Sequence, residues 1–465
     1  MKPQGVVSSM TAIKFPFHLL IALSFITLVT PALGQDLGCS SSVSMAGGTI
    51  EVESEPSGND TDNLQCALDA AAELGYRDIL LVSEGYSTGA LSARGFVGDF
   101  RGVSKSATSL VIQNASLDCE NQIGVGIEFT TGSASVRNMT ITVDSPCVAG
   151  SSASVIAFYS NQANCSARTT FGNVDRVTIA GGGVDSPETV TGVLMQAAPG
   201  CEDASERILG TLKVNRSELF GLDFGVLTSV AGGGQVDINY NTFTEIGLPI
   251  TILDASQSTT ILSNTINYND VGGYPADTGM GTTGILIAST SNSPNSNGTI
   301  IKNNKFYDRG SSNSGFGILL GQSSKRVDHK LIVSANTFEG NNVNTAGAGI
   351  AAIDTRDGII AGNRFKSSSG TWVEIGNGDP SDGYLGEPVT GWAVIGNIFT
   401  ASTADTDVVL GAGTSGAVIG RDQGLPVVED QTGQNDVLES ANAAAYWGAV
   451  GAERFLIHLT TLIDG

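Results

Sequence analysis

The sequence predicts an all-β solenoid in which short strands stack coil upon coil, and three observations support this prediction. Glycine accounts for 60 of the 465 residues, and only 15% of the residues are charged. The hydrophobic share of 41% is large enough for a core, so a disordered chain is not expected. Short strand-like segments recur about every 20–40 residues without a helical pattern between them, which excludes βαβ units.

The first 34 residues have the features of a signal peptide. Lys2 and Lys14 flank an apolar run over 15–29, and Ala32 and Gly34 fit a small-x-small cleavage site. We expect cleavage after Gly34 and hence a secreted or cell-surface protein. A membrane anchor is the alternative, but the run is shorter than the roughly 20 residues that span a bilayer. The mature chain contains no other segment that is apolar enough to span one.

All six cysteines fall in the N-terminal half of the mature chain, and none belongs to a CxxC or Cys/His cluster. An even number in an exported chain indicates disulfide bonds. Sequential pairing is the simplest of the roughly 15 connectivities that six cysteines allow. It joins Cys39 to Cys66, Cys119 to Cys147, and Cys165 to Cys201.

One repeat dominates the C-terminal half, where a short apolar segment is followed by Asn-x-Phe or Asn-x-Ile. Successive asparagines are 23, 40, 32, 27 and 34 residues apart, so a constant coil carries insertions of variable length. Stacking places equivalent residues about 4.8 Å apart, which predicts an internal column of phenylalanines and a ladder of asparagine amides. The phenylalanines are Phe306, Phe338, Phe365 and Phe399, and the asparagines are Asn241, Asn264, Asn304, Asn336, Asn363 and Asn397.

A second motif, of the Gly-Ile-Leu-Ile type, alternates strictly with the first. Both motifs are too short for a helix and rich in β-branched residues or leucine, so both are predicted to be strands. The economical arrangement is a solenoid of about ten coils whose equivalent strands pair in parallel. Copies of the second motif begin at Gly192, Gly225, Gly284, Gly317, Gly349, Trp372 and Val408.

These repeats resemble the right-handed parallel β-helix proteins of the pectate-lyase-like superfamily. Segments 62–71, 78–86 and 96–103 also resemble the N-terminal region of that family, so the resemblance covers roughly 40–440. It implies an all-β, right-handed parallel β-helix whose open end is covered by a short helix. This scaffold carries lyases, hydrolases, epimerases, esterases and non-catalytic adhesins, so the resemblance implies the fold far more sharply than the function.

The capping helix has its own sequence signals. Asp60 and Asp62 are candidate N-caps. Apolar side chains then recur at helical spacing, at Leu64, Ala67, Leu68 and Ala71.

We divide the chain into a signal peptide at 1–34, the β-helix with its N-terminal cap at 35–439, and a C-terminal segment at 440–465. The C-terminal segment is rich in alanine and contains Tyr446 and Trp447. It is interpreted as a cap over exposed strand edges, with a partner-binding tail as the alternative.

The mature chain is strongly acidic, with 21 of the 23 basic residues left against all 46 acidic ones. Such a surface repels nucleic acid and anionic membranes. It also repels polyanions such as pectate or alginate unless Ca²⁺, the one cofactor considered, bridges the two. Polysaccharide therefore remains as a partner, nucleic acid does not, and we expect a monomer. Acidity that only keeps an exported protein soluble is the simpler alternative.

Variable loops at the corners of the coils hold the candidate site residues. Three loops follow successive Gly-Ile-Leu-Ile strands and are expected to stack on consecutive coils. Their charged and aromatic residues are Lys325, Arg326, His329 and Lys330, then Asp354, Arg356 and Asp357, then Asp379, Asp382, Tyr384 and Glu387.

This cluster has the residue types that chemistry on an acidic sugar requires. Proton abstraction beside a carboxylate needs a base, a cation that neutralises the acid and a second proton donor, whereas hydrolysis needs two carboxylates facing one bond. The alternative is a set of ordinary solvated turns, with 354–357 held by a salt bridge. We assign catalysis to Arg356, His329, Asp354 and Asp357, substrate binding to Lys325, Arg326, Lys330 and Tyr384, and metal binding to Asp379 and Asp382.

The catalytic signatures of the resembling families are missing. The paired aspartates and Gly-His-Gly of polygalacturonase-like hydrolases do not occur, and neither does a lyase signature. The segment 379–382 departs from the Asp-Pro-His-Asp motif of alginate epimerases, because Ser381 takes the place of the histidine. The sequence therefore identifies the scaffold and not the reaction.

Two functions fit the scaffold. The first is a secreted protein that contacts extracellular polysaccharide as a lyase or hydrolase, and it predicts a groove with convergent Lys, Arg, His and carboxylates along one strand face. The second is a non-catalytic surface, matrix or adhesin-like structural protein. It predicts a flat face of Ser, Thr and Asn, with charged residues at loop tips.

Overall fold

The computed structural model of the protein describes residues 37–113, 124–144, 152–159, 170–181, 189–197, 210–229, 234–253, 258–268, 283–289, 297–308, 316–323, 329–340, 348–366, 371–376, 388–400, 406–420, 422 and 426–438. The predicted signal peptide at 1–34 and the C-terminal segment at 440–465 lie outside these ranges.

The described residues form one α-helix and 36 strands. The first strands are β1 (Val43–Ala46), β2 (Thr49–Val52), β3 (Asp78–Leu81), β4 (Gly85–Thr88), β5 (Leu91–Arg94), β6 (Val97–Gly102), β7 (Ser109–Gln113), β8 (Gly124–Thr130), β9 (Gly132–Asp144), β10 (Ser152–Tyr159), β11 (Thr170–Ala180), β12 (Thr189–Gln196), β13 (Gly210–Asn215), β14 (Glu218–Ser229), β15 (Gln235–Asn239), β16 (Thr242–Leu253), β17 (Ser258–Leu262) and β18 (Thr265–Tyr268). The helix α1 (Thr61–Leu74) lies between β2 and β3 in the chain.

The remaining strands belong to the C-terminal half of the molecule. They are β19 (Ile285–Ser289), β20 (Asn297–Lys302), β21 (Lys305–Asp308), β22 (Ile318–Ser323), β23 (His329–Ser334), β24 (Thr337–Gly340), β25 (Ile350–Ile353), β26 (Arg356–Ala361), β27 (Arg364–Lys366), β28 (Val373–Gly376), β29 (Val389–Thr390), β30 (Ala393–Ile395), β31 (Ile398–Thr400), β32 (Val408–Leu410), β33 (Thr414–Ser415), β34 (Val418–Gly420), β35 (Val428–Asp430) and β36 (Asp436–Leu438).

Most strands form three parallel sheets, and from β3 to β32 the chain passes through them in the same order in every coil. Sheet 1 precedes the asparagine corner and contains β2, β3, β6, the first part of β9 and of β11, β13, β15, β17, β20, β23, β26, β30, β34 and β36. Sheet 2 follows that corner and contains β4, β7, the later parts of β9 and β11, the first parts of β14 and β16, β18, β21, β24, β27 and β31.

Sheet 3 carries the Gly-Ile-Leu-Ile motif. It contains β5, β8, β10, β12, the later parts of β14 and β16, β19, β22, β25, β28, β32 and β35. Apart from the antiparallel hairpin of β1 and β2, every described pairing is parallel. The prediction of an all-β, right-handed parallel β-helix is confirmed. Sheet 3 alone has twelve described levels, somewhat more than the ten coils predicted, because the early coils lack a clear Asn-x-Phe motif.

The predicted asparagine ladder fixes the corner between sheets 1 and 2. The Oδ1 atom of each later asparagine accepts hydrogen bonds from the backbone N–H and the Nδ2 of the asparagine one coil earlier, at 2.8–3.1 Å. Each Nδ2 also donates to a backbone carbonyl of sheet 1, as Asn336 does to Ile301 at 3.0 Å. All six asparagines are buried, so these bonds satisfy polar groups that water cannot reach.

The predicted phenylalanine column lies on the buried side of sheet 2, next to this ladder. Phe306, Phe338, Phe365 and Phe399 are register partners on successive strands, and all four are buried. Their ring centroids are 4.6, 5.0 and 5.0 Å apart and the rings are stacked. Each such pair contributes about 0.5–1.5 kcal/mol beyond the burial of its apolar area.

The predicted capping helix is confirmed as α1, which turns Leu64, Ala67, Leu68 and Ala71 towards the core. It also occupies the open edge of sheet 3, because Gln65 exchanges hydrogen bonds with the backbone of Ser92 on β5, at 2.6 and 3.0 Å. No helix among the described residues has the length and apolar character needed to cross a membrane.

The side chain of Asp60 acts differently from the predicted N-cap. The helix begins after Asp60 without a side-chain capping bond. The Asp60 carboxylate instead accepts the backbone N–H of Glu55 at 2.6 Å and that of Ser87 at 2.8 Å. Asp60 therefore ties the start of the helix to the edge of sheet 2, where β4 has no preceding strand.

The predicted disulfide between Cys39 and Cys66 is confirmed, with the two Cα atoms 5.8 Å apart. It fastens the first described residues to α1. The other four cysteines, Cys119, Cys147, Cys165 and Cys201, lie outside the described residues, so their pairing stays a prediction.

The ladder ends at an aspartate in place of an asparagine. Asp422 Oδ1 accepts the backbone N–H of Asn397 at 2.6 Å and its Nδ2 at 3.0 Å. Its Oδ2 is buried without a hydrogen-bond partner among the described residues. By the register of sheet 1, the Nδ2 of an asparagine there would donate to the carbonyl of Val394. Burial raises the pKa of Asp422 to about 7, although the bonds from Asn397 oppose the rise.

We predict that Asn336→Ala lowers the free energy of unfolding by about 3 kcal/mol or more. The change removes two donated and two accepted hydrogen bonds and leaves buried groups of Asn304 and Ile301 unpaired. Denaturant unfolding measures the loss. The matched control is Asn267→Ala, because this half-buried side chain makes one described bond, at 3.4 Å, and its loss should cost at most about 0.5 kcal/mol. Equal losses in the two variants would contradict the role given to the ladder.

We predict that Asp422→Asn stabilises the protein by about 1–3 kcal/mol at pH 8, because the amide restores a donor at the unpaired position. The pKa of Asp422 is raised from 3.8 to about 7 in the folded state, so the folded protein holds the extra proton between about pH 4 and pH 7. The free energy of unfolding therefore falls as pH rises through that window, and the variant should lack this fall. Thermal unfolding from pH 4 to pH 8 tests it, with Asp144→Asn on an exposed strand end as the control. Parallel profiles for wild type and Asp422→Asn would refute the prediction.

Candidate functional site

The structure places two of the predicted catalytic residues next to each other. His329 begins β23 and Arg356 begins β26, and the two residues are register partners on adjacent strands of sheet 1. Asn297 precedes His329 in this column and Thr390 follows Arg356. The column runs along the corner where the chain leaves sheet 3 for sheet 1, which is where the sequence placed the candidate loops.

The side chains of the 354–357 turn are tied to the scaffold. Asp354 is fully buried in a left-handed conformation with φ 50°, and its N–H donates to the carbonyl of Gly376 at 3.1 Å. Arg356 Nε donates to the carbonyl of Pro388 at 3.1 Å, which joins this turn to the next coil. Asp357 has φ 57° and is exposed. Burial of Asp354 favours a structural role for that carboxylate, whereas Arg356 and Asp357 reach the surface.

Most of the other predicted site residues lie outside the described residues. These are Lys325, Arg326, Asp379, Asp382, Tyr384 and Glu387, together with the side chains of His329 and Lys330. Within the described ranges, no group of three or more His, Cys, Asp or Glu side chains could hold a metal ion. The assignments of substrate and metal binding to this cluster therefore stay predictions.

On the outer face of sheet 3, the central column of side chains is mostly apolar and buried. The column consists of register partners on seven successive strands, and all of them are buried except Leu227, which is half-buried. Glu128 and Glu374 stand at its two ends. This column offers few polar groups to a sugar, which needs hydrogen-bond partners. Its members are Ala157, Leu194, Leu227, Thr251, Leu286, Leu319 and Ala351.

The outer face of sheet 1 has the opposite character between β11 and β17. Side chains alternate along these strands, so the inward positions are buried and mostly apolar. The outward ones, apart from the buried Asp175, are at least partly exposed and mostly polar. Four adjacent strands give a flat surface of roughly 15 by 17 Å. We call it the polar face; its outward residues are Phe171, Asn173, Thr211, Lys213, Asn215, Gln235, Asp237, Asn239, Ser258, Thr260 and Leu262.

Charged residues on and beside the polar face pair with each other between neighbouring coils. The pairs are Arg101 with Asp78 at 2.7 Å, Arg137 with Asp99 at 3.1 Å, and Lys213 with Asp237 at 3.7 Å. Each guanidinium or ammonium thus neutralises a carboxylate one coil away. The result is a flat surface of amides, hydroxyls and paired charges, which fits the face expected of the non-catalytic hypothesis.

Exposed aromatic side chains concentrate on three of these four coils. Among the described aromatic residues, the most exposed are Phe171, Phe220 and Tyr240, with exposed fractions of 46%, 42% and 64%. Phe171 stands at the start of the polar face and Tyr240 at its far corner, about 19 Å away by strand spacing and rise. Phe220 lies beyond that corner, on sheet 2. Two exposed aromatic side chains therefore lie at opposite ends of the strands of the polar face, two coils apart.

The far corner of the polar face is built from three residues in register. Arg176, Arg216 and Tyr240 each follow the last sheet 1 residue of their coil, and they have φ values of 56°, 51° and 61°. Asp175 is buried beneath them and bonds to both arginines, at 3.1 Å to Arg176 Nε and 2.8 Å to Arg216 Nε. We call these four residues the corner cluster.

A buried acid, Asp223, lies between the sheet 2 and sheet 3 parts of β14. Burial raises the pKa of Asp223 to about 6, against the opposing effect of the Val190 N–H, which it accepts at 2.6 Å. A raised carboxyl pKa often marks an active site. Asp223 nevertheless satisfies a backbone donor at the start of β12, which is a structural role.

Sequence reasoning missed the polar face and the corner cluster. Asp175, Arg216 and Tyr240 belong to different coils, and the early coils carry insertions of irregular length. The one usable signal was the segment before Asn241, where tyrosine occupies a corner that elsewhere holds Ser263, Asn303 or Gly362.

Comparisons with known proteins concern the fold. The sequence matches no protein-family model and none of the curated proteins. Among solved structures, it is similar to tailspike protein 3 of bacteriophage CBA120, with a TM-score of 0.44 and 10% identity. That match covers 82% of this chain and 59% of the tailspike, so this chain spans less than two thirds of it.

Two epimerases are also similar in structure. The A-module of a mannuronan C-5 epimerase from Azotobacter vinelandii has a TM-score of 0.39 and 15% identity, over 82% of this chain and 95% of the module. A periplasmic alginate epimerase has a TM-score of 0.33 and 12% identity, over 84% of this chain and 80% of the epimerase.

Proposed function

We propose that this protein is an exported β-helix protein that binds extracellular polysaccharide, without catalysis, through the polar face of sheet 1. The proposal rests on one observation, the combination of a flat array of amides and hydroxyls with exposed aromatic rings, Phe171 and Tyr240, at opposite ends of its strands. A sugar ring offers hydroxyl groups to the first and an apolar face to the second.

Rigidity supports this assignment of the surface. The outward side chains of the polar face project from strands whose inward partners, such as Val214, Val236 and Ile238, are fully buried or nearly so. A stiff parallel stack holds equivalent groups about 4.8 Å apart on every coil. Binding to such a surface costs little ordering of the protein, which favours an extended polymer as the ligand.

Charge restricts the class of polysaccharide. The chain has a net charge of −23, so a densely charged polyanion is repelled over most of its surface. On the polar face itself, the two charged residues, Lys213 and Asp237, are paired between coils. A largely neutral glycan therefore suits the surface better than pectate or alginate.

Export is part of the proposal and rests on the N-terminal segment. The apolar run over 15–29 and the small residues up to Gly34 have the pattern of a cleaved signal. The Cys39–Cys66 disulfide suits an oxidising compartment outside the cytosol.

We predict that the double variant Phe171→Ala, Tyr240→Ala binds a soluble neutral glucan about tenfold more weakly than wild type, because both stacking surfaces are removed. Isothermal titration and affinity electrophoresis measure the change. Thermal unfolding should be little affected, since both side chains are exposed.

Phe220→Ala is the matched control, because Phe220 is a similarly exposed aromatic that lies off the polar face. It should bind like wild type. An equal loss in the control would place binding elsewhere, and failure of wild type to bind any glycan in a panel of neutral and acidic polymers would refute the proposed function.

A second function, cleavage of an acidic glycan, is favoured by one observation. His329 and Arg356 are adjacent on consecutive coils, so a base and a cation could act on one sugar. In this alternative Asp357 and the loop residues Lys325, Arg326, Lys330 and Tyr384 would surround the substrate, with Ca²⁺ at Asp379 and Asp382.

The cleavage alternative predicts unsaturated products or new reducing ends from pectate or alginate, measured with and without Ca²⁺. His329→Ala and Arg356→Ala should each reduce the rate about a hundredfold or more. Activity that survives both substitutions would move catalysis away from this corner. Inert polymers under all conditions would support the non-catalytic proposal.

A further inference from the structure

We propose that the corner cluster of Asp175, Arg176, Arg216 and Tyr240 binds an acidic group, carboxylate or sulfate, carried sparsely by the polysaccharide on the polar face. This inference rests on the proposed function and adds a specific subsite to it. Three features support it: the backbone positions of the side chains, the buried carboxylate that orients them, and the local charge.

The backbone at this corner is unfavourable for large side chains. From β9 to β30, the corner residue of each coil adopts a left-handed conformation, which disfavours most residues other than Gly and Asn. Among the described corner residues with this conformation, long or aromatic side chains occur on three consecutive coils, at Arg176, Arg216 and Tyr240. Strain of this kind is retained where the side chain has a use. Other described corner residues of the column are Asn138, Ser263, Asn303, Ala335, Gly362 and Gly396.

Asp175 orients the two arginines. Its side chain is almost completely buried, and its Oδ1 atom is 2.8 Å from Arg216 Nε and 2.6 Å from Arg216 Nη2. Its Oδ2 atom is 3.1 Å from Arg176 Nε. One carboxylate therefore fixes two guanidinium planes on adjacent coils. This preorganisation lowers the entropy that the arginines lose when they bind a ligand.

The arginines keep donors on the solvent side. A guanidinium has five N–H donors, and the bonds to Asp175 use one of them in Arg176 and two in Arg216. The two side chains are 52% and 58% exposed. Their outer N–H groups can thus form the paired hydrogen bonds that guanidinium makes with a carboxylate or sulfate.

The local charge at the corner cluster is positive, although the protein is acidic. Two guanidinium groups lie over a single carboxylate, and the nearby Arg137 and Lys213 each have a carboxylate of their own. A single anionic group is attracted here, whereas a polymer with an acid on every sugar is repelled by the rest of the surface. Tyr240, in the next coil, offers its exposed ring to the sugar that bears the group.

The experiment compares polymers that differ only in their charge. The probes are a xylan with sparse glucuronic acid side groups, the same xylan after reduction of its carboxyl groups, and the reduced xylan after light sulfation. Isothermal titration with the full mature chain measures each affinity. Wild type should bind the acidic xylan about tenfold more tightly than the reduced one, and the lightly sulfated xylan shows whether sulfate substitutes for carboxylate.

The test variant is the triple substitution Asp175→Asn, Arg176→Asn, Arg216→Asn. It removes the buried carboxylate together with its partners, so no unpaired charge remains, and asparagine tolerates the left-handed backbone. We expect the preference for the acidic xylan to disappear while affinity for the reduced xylan stays within about twofold of wild type. A charge-preserving variant, Arg176→Lys with Arg216→Lys, should keep only part of the preference, because lysine lacks the paired donors.

Arg364→Asn is the control, since it removes one exposed arginine on β27 of sheet 2, away from the corner cluster. It should leave the preference unchanged. Equal binding of the acidic and reduced xylans by wild type, or an undiminished preference in the triple variant, would overturn the inference and leave the proposed function standing. Absence of binding to all the xylans and to neutral glucan would instead overturn the proposed function, and the inference with it.

Discussion

The structure depends on one repeated interaction, the pairing of buried amide groups at the corner between sheets 1 and 2. Each asparagine of the ladder bonds to the next coil through its backbone and its side chain, so the rotation between coils is fixed at the same place in every turn. Insertions of very different length can then be tolerated at the other two corners. The distances of 23 to 40 residues between ladder positions show how much variation this allows.

The C-terminal half was predictable because each coil repeats this interaction in its sequence. Asn304, Asn336 and Asn363, with the phenylalanine two positions later, set both the register of the coils and the position of the core. Sequence patterns also predicted the disulfide between Cys39 and Cys66 and the buried side of α1. The hydrogen bonds of the Asp60 side chain could not be predicted in this way, because its partners Glu55 and Ser87 are set by tertiary packing rather than by the helix itself.

The candidate surface was much harder to predict than the fold. A binding surface on a solenoid is assembled from one or two residues of each coil, so its members are separated in the chain by whole turns. Asp175 and Arg216 are 41 residues apart, yet they share hydrogen bonds. The charged loops were predicted as a site because their residues are close together in the sequence. The polar face is defined only by the strand register, which determines which side chains point outward.

The N-terminal end of the solenoid is closed by several independent contacts. In a stacked protein each coil is held only by its neighbours, so loss of structure starts from an end. At the N-terminal end, a covalent bond joins Cys39 to α1, and Gln65 and Asp60 occupy the open strand edges. Towards the other end, the ladder finishes on Asp422, whose Oδ2 has no hydrogen-bond partner among the described residues. Loss of coils from the C-terminal end would therefore pass from β36 back to β20 before it reached the polar face between β11 and β17.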